Sequence, residues 1–352
     1  MEILITGGTG FVGGALVEEL IKDAQNLGIK KKDVYVLVRE DSNIDHLNKL
    51  GVKFIVGDLT NYYSLKEAVK NKSIIFHLCS VVLDQSPQDI LYKVNVLGTK
   101  TLIDLFAHEK TAQKFVFIST WGVLGYNVKN QPMKENLPFN PTNDYHKSKA
   151  DAENIVWEYA KNYKLPVVVA RLPMILGPGD TLTTPRVIQA FYDKKVKIIG
   201  KGNNLFSIVH VQDAARAILI LGFKKEAFGK VYNIKSFDIS QKDYWFEHKK
   251  ILNIDDKIPS LPKILALFYA LLQEMKAKRK GKKKSTLTRH RVMRYGNTRI
   301  LDVSRIKKEL HWEPIHTNGK QVIKDTIKWL DENNFIDHEN KKVLLIRKWE
   351  EQ

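Results

Sequence analysis

Residues 2–22 of the chain read EILITGGTGFVGGALVEELIK, and this stretch decides the fold. Residues 2–5 are a short apolar run that predicts a strand, whereas residues 15–22 repeat apolar side chains at helical spacing. A glycine-rich turn, residues 6–13, lies between them. A strand, a glycine turn and a helix in this order form the context that a dinucleotide-binding fingerprint requires.

The glycines of this turn are spaced for contact with a phosphate. Gly7 suits a tight turn, Gly10 lets backbone amides approach a pyrophosphate, and Gly13 lets the helix pack closely on the strand. The helix N-terminus near Phe11 and Val12 then faces the phosphates with its partial positive charge. A plain structural turn is the alternative interpretation, and the flanking strand and helix argue against it.

The residue after the second predicted strand, residues 34–38, indicates which cofactor is bound. Rossmann folds contact the adenosine ribose at this position, where an acid would bond both ribose hydroxyls. This chain has Arg39 there, which favours a 2′-phosphate and therefore NADP. In the alternative, Arg39 is merely exposed and Asp41 binds the ribose, which would suit NAD.

A third predicted strand, residues 53–56, leads into an acid that can contact the adenine. Asp58 can accept a hydrogen bond from the adenine amino group, and Leu59 follows it directly. The alternative role for Asp58 is to cap the helix that begins at Tyr62. We expect Asp58 and Leu59 to contact the cofactor.

Further predicted strands at residues 74–78 and 115–119 are separated by a helical stretch, residues 90–108. Strands that alternate with helices at this interval predict a parallel sheet covered on both faces. The fold class is therefore α/β, a doubly wound Rossmann sheet with a smaller C-terminal lobe for the substrate. Ligands of such sheets bind at the carboxyl ends of the strands.

A candidate proton donor lies at this same edge of the sheet. Tyr145 and Lys149 are four residues apart on a predicted helix that Asn143 or Asp144 can cap, so their side chains share one face. A free tyrosine has a pKa of about 10 and needs a nearby cation to become a useful acid or base at neutral pH. We predict that Tyr145 exchanges a proton with the substrate oxygen while Thr120 holds that oxygen.

Seven short motifs together resemble the extended short-chain dehydrogenase/reductase family. They are TGGTGFVG at 6–13, GDL at 57–59, FHL at 76–78, NVLGT at 95–99, STWGVLG at 119–125, YHKSK at 145–149 and GPGD at 177–180. The resemblance covers residues 1 to about 235 and selects Thr120 rather than Ser119 as the hydroxyl residue. It also implies a structural and proton-relay role for Asn95 and a cofactor contact for Pro173.

The region after residue 200 narrows the resemblance to one branch. Sugar-nucleotide epimerases of the family carry an arginine for the substrate diphosphate shortly before a motif that here reads IVHVQD, residues 208–213, and Phe206 occupies that place. A phenyl ring cannot pair with a diphosphate. Residues 202–216 instead resemble 3β-hydroxysteroid dehydrogenases, sterol carboxylate dehydrogenases and long-chain 3-keto acid reductases. Lys197 or Lys201 can still bind a phosphate, so a sugar-nucleotide substrate remains an alternative hypothesis.

Three functions are therefore considered. The favoured one is an NADP-preferring or NAD-dependent oxidoreductase that interconverts a secondary alcohol and a ketone on a sterol-like or long-chain substrate. The second is a sugar-nucleotide epimerase or reductase. The third is a non-catalytic nucleotide-binding redox sensor, although such family members often lose the tyrosine or lysine that this chain retains.

The C-terminal third is consistent with a hydrophobic substrate. An apolar helix is predicted at residues 261–275, and a basic segment follows at residues 276–294 with Gly281 as the break. The apolar part is shorter than the roughly 20 residues that span a bilayer, so it either lies in the membrane interface or covers the substrate pocket.

The net charge of +18 is also typical of proteins that bind nucleic acid. The sequence contains no nucleic-acid recognition motif, so we do not expect a nucleic acid as the main partner.

Length and composition predict a soluble protein of 352 residues with 43% hydrophobic content. We expect a cofactor domain at residues 1–172 that recovers a return segment near residues 208–235, and a substrate lobe in most of residues 173–352. The single cysteine, Cys79, excludes an internal disulfide, and the histidines show no metal-ligand spacing, so no metal is expected. A cytoplasmic location and, from the resemblance, a homodimer are further expectations.

Overall fold

The computed structural model describes residues 1–83, 86–126, 131–279 and 288–344. The strands in these residues are β1 (Glu2–Thr6), β2 (Val34–Val38), β3 (Lys53–Val56), β4 (Lys72–His77), β5 (Lys114–Thr120), β6 (Val167–Leu172), β7 (Met174–Leu176), β8 (Ile198–Ile199), β9 (Leu205–His210), β10 (Lys230–Asn233), β11 (Phe237–Ser240), β12 (Ser260–Leu261), β13 (Ile336–Asp337) and β14 (Lys342–Val343).

The α-helices in the same residues are α1 (Phe11–Lys22), α2 (Asp45–Leu50), α3 (Tyr62–Val69), α4 (Gln88–Leu91), α5 (Thr99–Ala107), α6 (Asp144–Tyr163), α7 (Thr183–Tyr192), α8 (Val211–Phe223), α9 (Gln241–Ile251), α10 (Lys263–Arg279), α11 (Arg289–Gly296), α12 (Ser304–Leu310) and α13 (Gly319–Glu332). A π-helical segment, Tyr92–Gly98, joins α4 to α5. Helical residues thus extend from Gln88 to Ala107, close to the predicted 90–108, but the π turn was not foreseen.

The main sheet has seven strands in the order β10-β6-β5-β4-β1-β2-β3, and every neighbouring pair is parallel. The strand order reverses between β1 and β4, which is the switch point where such sheets bind ligands. This architecture confirms the predicted Rossmann fold class. The second and third strands have the predicted bounds, and the others differ by one or two residues at their ends.

The first helix begins earlier than the sequence pattern indicated. We expected its body at residues 15–22, whereas α1 begins at Phe11 with Gly10 as its N-cap. Its first turns include two glycines, Gly13 and Gly14, which carry no side chain to contribute to an apolar periodicity. The helix therefore starts directly at the glycine turn, and its N-terminus lies at the carboxyl end of β1.

A return segment completes the nucleotide-binding layer. Helix α8 buries Ala214, Ala215 and Ile218 in the same core cluster as Leu16 and Val17 of α1. Strand β10 then pairs in parallel with β6 at the edge of the main sheet.

The smaller lobe lies beyond β6 and has its own core. A three-stranded sheet in the order β11-β9-β7 packs with helices α7, α9 and α13. Its core cluster includes Phe191, Phe206, Tyr244, Trp245 and Ile323.

The apolar and basic C-terminal segments form two contacting helices. The predicted apolar helix at 261–275 is α10, which runs two residues later at its start and four at its end. Residues 280–287 of the basic segment lie outside the described residues, and α11 begins after them at Arg289. In the part of the chain that the structure describes, no helix combines the length and apolar character needed to cross a membrane.

Candidate active site

The glycine turn after β1 has the geometry of a phosphate cradle. Gly7 has a φ of +77°, and the backbone amide of Gly10 donates to its carbonyl at 3.0 Å. A Cβ at Gly13 would lie only 2.0 Å from that same carbonyl oxygen, so any side chain there would separate the helix from the turn. No side chain caps the N-terminus of α1, which leaves its first amides for an anion. These residues fit a dinucleotide pyrophosphate.

A further glycine that the sequence interpretation did not assign also constrains this turn. A Cβ at Gly8 would lie 2.5 Å from Cγ1 of Val36 in the neighbouring strand β2. Gly8 is therefore needed for packing of the turn on the sheet. Phe11 and Val12 open α1 beside it.

Both candidate ribose-binding residues lie at the end of β2. The side chain of Arg39 is 60% exposed, and its Nε lies 3.3 Å from Oδ1 of Asp41, which is 74% exposed. Exposed ion pairs contribute little, so a bound nucleotide can separate these two side chains at low cost. The geometry leaves both the 2′-phosphate and the ribose roles available.

Asp58 lies directly after β3, where its carboxylate orders the following turn. Its Oδ1 accepts from the backbone amide of Thr60 at 2.7 Å and from the Thr60 hydroxyl at 2.6 Å. The cap of α3 is Asn61, whose side chain accepts from the amide of Ser64. The helix-cap alternative for Asp58 is therefore wrong, and the adenine contact stays a prediction for this side chain. Leu59 is buried beside it.

Thr120 and Tyr145 come from the two elements expected to carry the chemistry. Thr120 ends β5, and its Oγ1 accepts from the amide of Gly122 at 3.2 Å, which leaves the hydroxyl proton to donate. Tyr145 is the second residue of α6. The N-cap of this helix is Asn143, which is one of the two caps that the sequence predicted. Pro173 is buried between β6 and β7, at the carboxyl edge where β5 also ends.

Burial disfavours the charged forms of both Tyr145 and Lys149. It raises the pKa of Tyr145 to about 12, and the positive charge of Arg294 acts in the opposite direction. Burial lowers the pKa of Lys149 to about 7, although the carboxylate of Glu153 favours its protonated form. The Lys149 Nζ also lies 4.2 Å from the centroid of the Phe117 ring. The site therefore holds a lysine whose proton is exchangeable near neutral pH.

Asn95 anchors the loop after β4 to helix α6. Its Oδ1 accepts from the amide of Val81 at 2.8 Å and from the Ser80 hydroxyl at 3.0 Å, and its Nδ2 donates to Val81 O and Ser148 Oγ. Ser148 in turn donates to the carbonyl of Tyr145. Asn95 lies in the π-helical segment, a geometry frequent at functional sites. These contacts make it a positioning residue.

A buried histidine at the switch point was missed by the sequence interpretation. His77 Nδ1 lies 2.7 Å from Thr6 Oγ1, and Nε2 lies 2.9 Å from Thr99 Oγ1. Burial, reinforced by the charge of Lys149, lowers the pKa of His77 to about 3, so the ring is neutral. It joins the ends of β1 and β4. A signal was available, because Thr6 directly follows the predicted strand 2–5 and His77 lies in the predicted strand 74–78.

A second buried network fixes the direction of α6. Arg171 of β6 donates from Nη2 to Glu153 Oε1 at 2.6 Å and from Nη1 to the carbonyl of Glu135 at 2.9 Å. Both charged side chains of this pair are almost fully buried. Since Glu153 is one turn beyond Lys149, this pair holds α6 against the sheet.

A group of basic side chains from distant parts of the chain surrounds the start of α6. Asn143 Nδ2 donates to His290 Nε2 at 3.1 Å, and the rings of His146 and His290 are 5.5 Å apart. Burial and the charges of Arg299, His290 and Arg294 hold the pKa of His146 well below its usual value. This convergence was not visible in the sequence, because the contacts join residues about 150 positions apart.

Arg299 is the most constrained member of this basic group. It is 1% exposed, and its Nε and Nη2 have no hydrogen-bond partner among the described residues. Its guanidinium lies 4.0 Å from the Trp121 ring centroid and 5.0 Å from that of Tyr126. Burial lowers the pKa of Arg299 to about 9. A buried guanidinium that packs on aromatic rings and has two nitrogens unpaired among the described residues is suited to an anionic ligand group.

Phe206 is a core residue of the smaller lobe. It is buried, and its ring packs edge-on against Tyr244 at 5.4 Å and Tyr295 at 6.3 Å. The ring is therefore part of the packed core of the smaller lobe. The neighbouring aromatic side chains form one cluster with it.

The fold and the site together define a nucleotide-dependent oxidoreductase with the extended short-chain dehydrogenase/reductase fold. The model of the NAD dependent epimerase/dehydratase family matches residues 3–234, and the chain belongs to this family. The predicted resemblance is thereby confirmed, and the protein is an enzyme of a family that depends on NAD.

Relatives of two substrate classes are similar to this chain. The dTDP-D-glucose 4,6-dehydratase of Dictyostelium discoideum is 34% identical over a match that covers 72% of this chain and 62% of that protein. The decarboxylating sterol-4-alpha-carboxylate 3-dehydrogenase of Candida albicans is 28% identical, and the match covers 94% of this chain and 98% of that protein.

A solved structure shares the fold. The crystal structure of dTDP-glucose 4,6-dehydratase from Streptomyces venezuelae with NAD bound matches with a TM-score of 0.76 at 21% identity. The match covers 95% of this chain and 98% of that one.

The lowered pKa of Lys149 predicts a pH-dependent effect on stability. Below about pH 7 the folded chain buries a charged amine, whereas above its unfolded pKa near 10.5 no such cost exists. Lys149→Met should therefore raise the free energy of unfolding at about pH 6 more than at about pH 10, by about 2–4 kcal/mol. Urea unfolding of both proteins at the two pH values measures this difference.

Lys147→Met is the matched control, because Lys147 is an exposed residue of the same helix. Its effect on unfolding should not change between the two pH values. An equal effect of Lys149→Met at both pH values would contradict the buried charge.

Proposed function

We propose that the protein interconverts a secondary alcohol and a ketone on a hydrophobic substrate, either sterol-like or long-chain. The observation that carries this proposal is that Thr120 ends β5 at the carboxyl edge of the sheet, while Tyr145 and Lys149 lie four residues apart near the start of α6. Tyr145 would supply a proton and Thr120 a hydrogen bond to one substrate oxygen, while Lys149 would supply a cation beside the tyrosine.

Each residue has a distinct task in this chemistry. A dinucleotide whose pyrophosphate is held at the glycine turn would supply or accept the hydride through its nicotinamide. In the oxidation direction Tyr145 takes the hydroxyl proton as the C–H bond of the same carbon gives up its hydride. Thr120 donates a hydrogen bond to the substrate oxygen. Lys149 stabilises the phenolate, and this is needed because burial raises the pKa of Tyr145 to about 12.

The residues after Thr120 support simple oxidation or reduction rather than elimination of water. Elimination needs an additional acid and base beside the reacting carbon atoms. Trp121 and Gly122 follow Thr120, and neither can transfer a proton. The charges that act on the pKa values of Tyr145 and His146 come from basic residues.

Two observations support an apolar substrate. Phe206 fills the position at which the family's sugar-nucleotide enzymes use arginine, and it packs within an aromatic cluster of the smaller lobe. The sterol dehydrogenase relative is similar over nearly the whole of both chains. Arg299 extends this proposal, since a buried guanidinium suits a substrate that also carries an acidic group.

A sugar-nucleotide substrate is the second candidate. The dehydratase relative supports it with the higher identity, and Arg299 could equally bind a diphosphate. The two candidates differ in what binds: a UDP- or dTDP-sugar should protect the protein against thermal unfolding only if the second candidate is right.

We also propose NADP as the preferred cofactor and a homodimer as the working state. Arg39 supports the first proposal. Exposed side chains on the helical layer, Tyr92, Leu97 and Tyr163, support the second, since contact between two copies would cover them. Light scattering should give the mass of two chains, and a monomeric mass would contradict the dimer.

Tyr145→Phe should leave cofactor binding intact and lower turnover at least about 100-fold, because the ring keeps its shape but loses its proton. Nicotinamide absorbance with NADPH or NADH and a panel of hydrophobic ketones and 3-hydroxysteroids measures turnover. Tyr63→Phe, which alters a tyrosine of α3 that is 79% exposed, is the control. Equal rates in the parent and Tyr145→Phe would refute the acid/base role.

Arg39→Ala should weaken NADPH binding about tenfold or more and leave NADH binding nearly unchanged, because only NADPH carries the 2′-phosphate. Asp41→Ala is the variant to compare with it. If Asp41 binds the ribose instead, Asp41→Ala and not Arg39→Ala should weaken the binding of NADH. Quenching of tryptophan fluorescence gives both dissociation constants. An unchanged preference in Arg39→Ala would rule out the phosphate contact.

A further inference from the structure

Helix α10 turns its large apolar side chains outward. Its small residues Ala266 and Ala270 are fully buried and pack in one cluster with Ile199 and Val292. The outward residues and their exposed fractions are Ile264 81%, Leu265 55%, Phe268 60%, Tyr269 51%, Leu272 45% and Met275 45%. We call these six residues the α10 apolar face. Such a contiguous exposed patch marks an interaction site.

Positive charge adjoins the α10 apolar face. Lys276 and Arg279 extend the same helix, and both are exposed. No aspartate or glutamate occurs in the sequence from residue 276 to residue 294. The nearest acid, Glu274, pairs with Arg289 at the start of α11, with 2.8 Å between Oε2 and Nε. The patch is therefore apolar with a basic border.

We propose that the α10 apolar face docks on the surface of an anionic lipid bilayer. An apolar face beside concentrated lysine and arginine fits the acyl boundary and the headgroups of such a membrane. A second copy of the chain fits poorly, because pairing two identical faces would bring two basic segments together. Because one side of α10 is packed against the protein, the helix lies along the membrane surface.

The same segment reaches the catalytic helix. Helix α11 packs on α10, with Val292 in the cluster of Ala266 and Ala270. His290 of α11 accepts a hydrogen bond from Asn143, the N-cap of the helix that carries Tyr145. Arg294 influences the pKa of Tyr145. Helix α11 therefore lies between the α10 apolar face and the helix that carries Tyr145. A hydrophobic substrate can then reach the site from the bilayer. The entry of substrate rests on the proposed function.

Sedimentation of the full chain with vesicles tests the proposal. The vesicles are phosphatidylcholine alone, or phosphatidylcholine with phosphatidylglycerol. The parent should bind the anionic vesicles, and the double variant Ile264→Asn/Phe268→Asn should bind them at least about tenfold more weakly. Ile315→Asn, which alters an equally apolar side chain 65% exposed on another surface, should bind like the parent.

The experiment separates this proposal from the proposed function, because vesicle binding needs no turnover. The double variant should keep the parent's rate on a short, water-soluble ketone. A parent that stays in the supernatant with anionic vesicles would overturn the proposal. So would equal binding by the parent and the double variant, or a solution mass that falls only in the double variant, which would assign the face to self-association.

Discussion

The close approach of the backbone at Gly7 and Gly13 is the constraint on which the site depends. A Cβ at Gly13 would fall 2.0 Å from the Gly7 carbonyl oxygen, so α1 can start against the turn only without a side chain there. This contact directs the N-terminus of α1 to the carboxyl edge of the sheet. The core that α1 shares with α8 then brings the return segment back to β6.

Buried polar contacts hold helix α6, which carries Tyr145 and Lys149, in place on this sheet. Asn95 and Ser148 join the loop after β4 to α6, while Arg171 and Glu153 hold the same helix on β6. Such networks are stable only when their members are satisfied, and they fix one arrangement of the helix. Burial raises the energetic cost of the charged forms of both Tyr145 and Lys149, and it brings the pKa of Lys149 to about 7.

The sequence was sufficient for those parts of the molecule whose signals are local. The glycine turn, the strands β2 and β3, and the Tyr145–Lys149 spacing all depend on residues close together in the chain. The convergence of Arg299 and His290 on the start of α6 was not predictable, because it depends on a chain segment that pairs with β9 through the bridge between Phe206 and Arg299. The burial of Ala266 and Ala270 in α10 was not predictable either, since apolar residues occur on nearly every side of this helix.

The central claim is that this site transfers hydride between a nicotinamide and a hydrophobic carbonyl compound. The most direct measurement is a single turnover with NADPH deuterated at the transferable position, followed by mass spectrometry of the product. Our account predicts that the deuterium appears on the carbinol carbon of the reduced hydrophobic substrate, and that Tyr145→Phe abolishes the transfer. Deuterium that remains in the cofactor with every hydrophobic ketone, together with conversion of a sugar nucleotide without net oxidation, would contradict it.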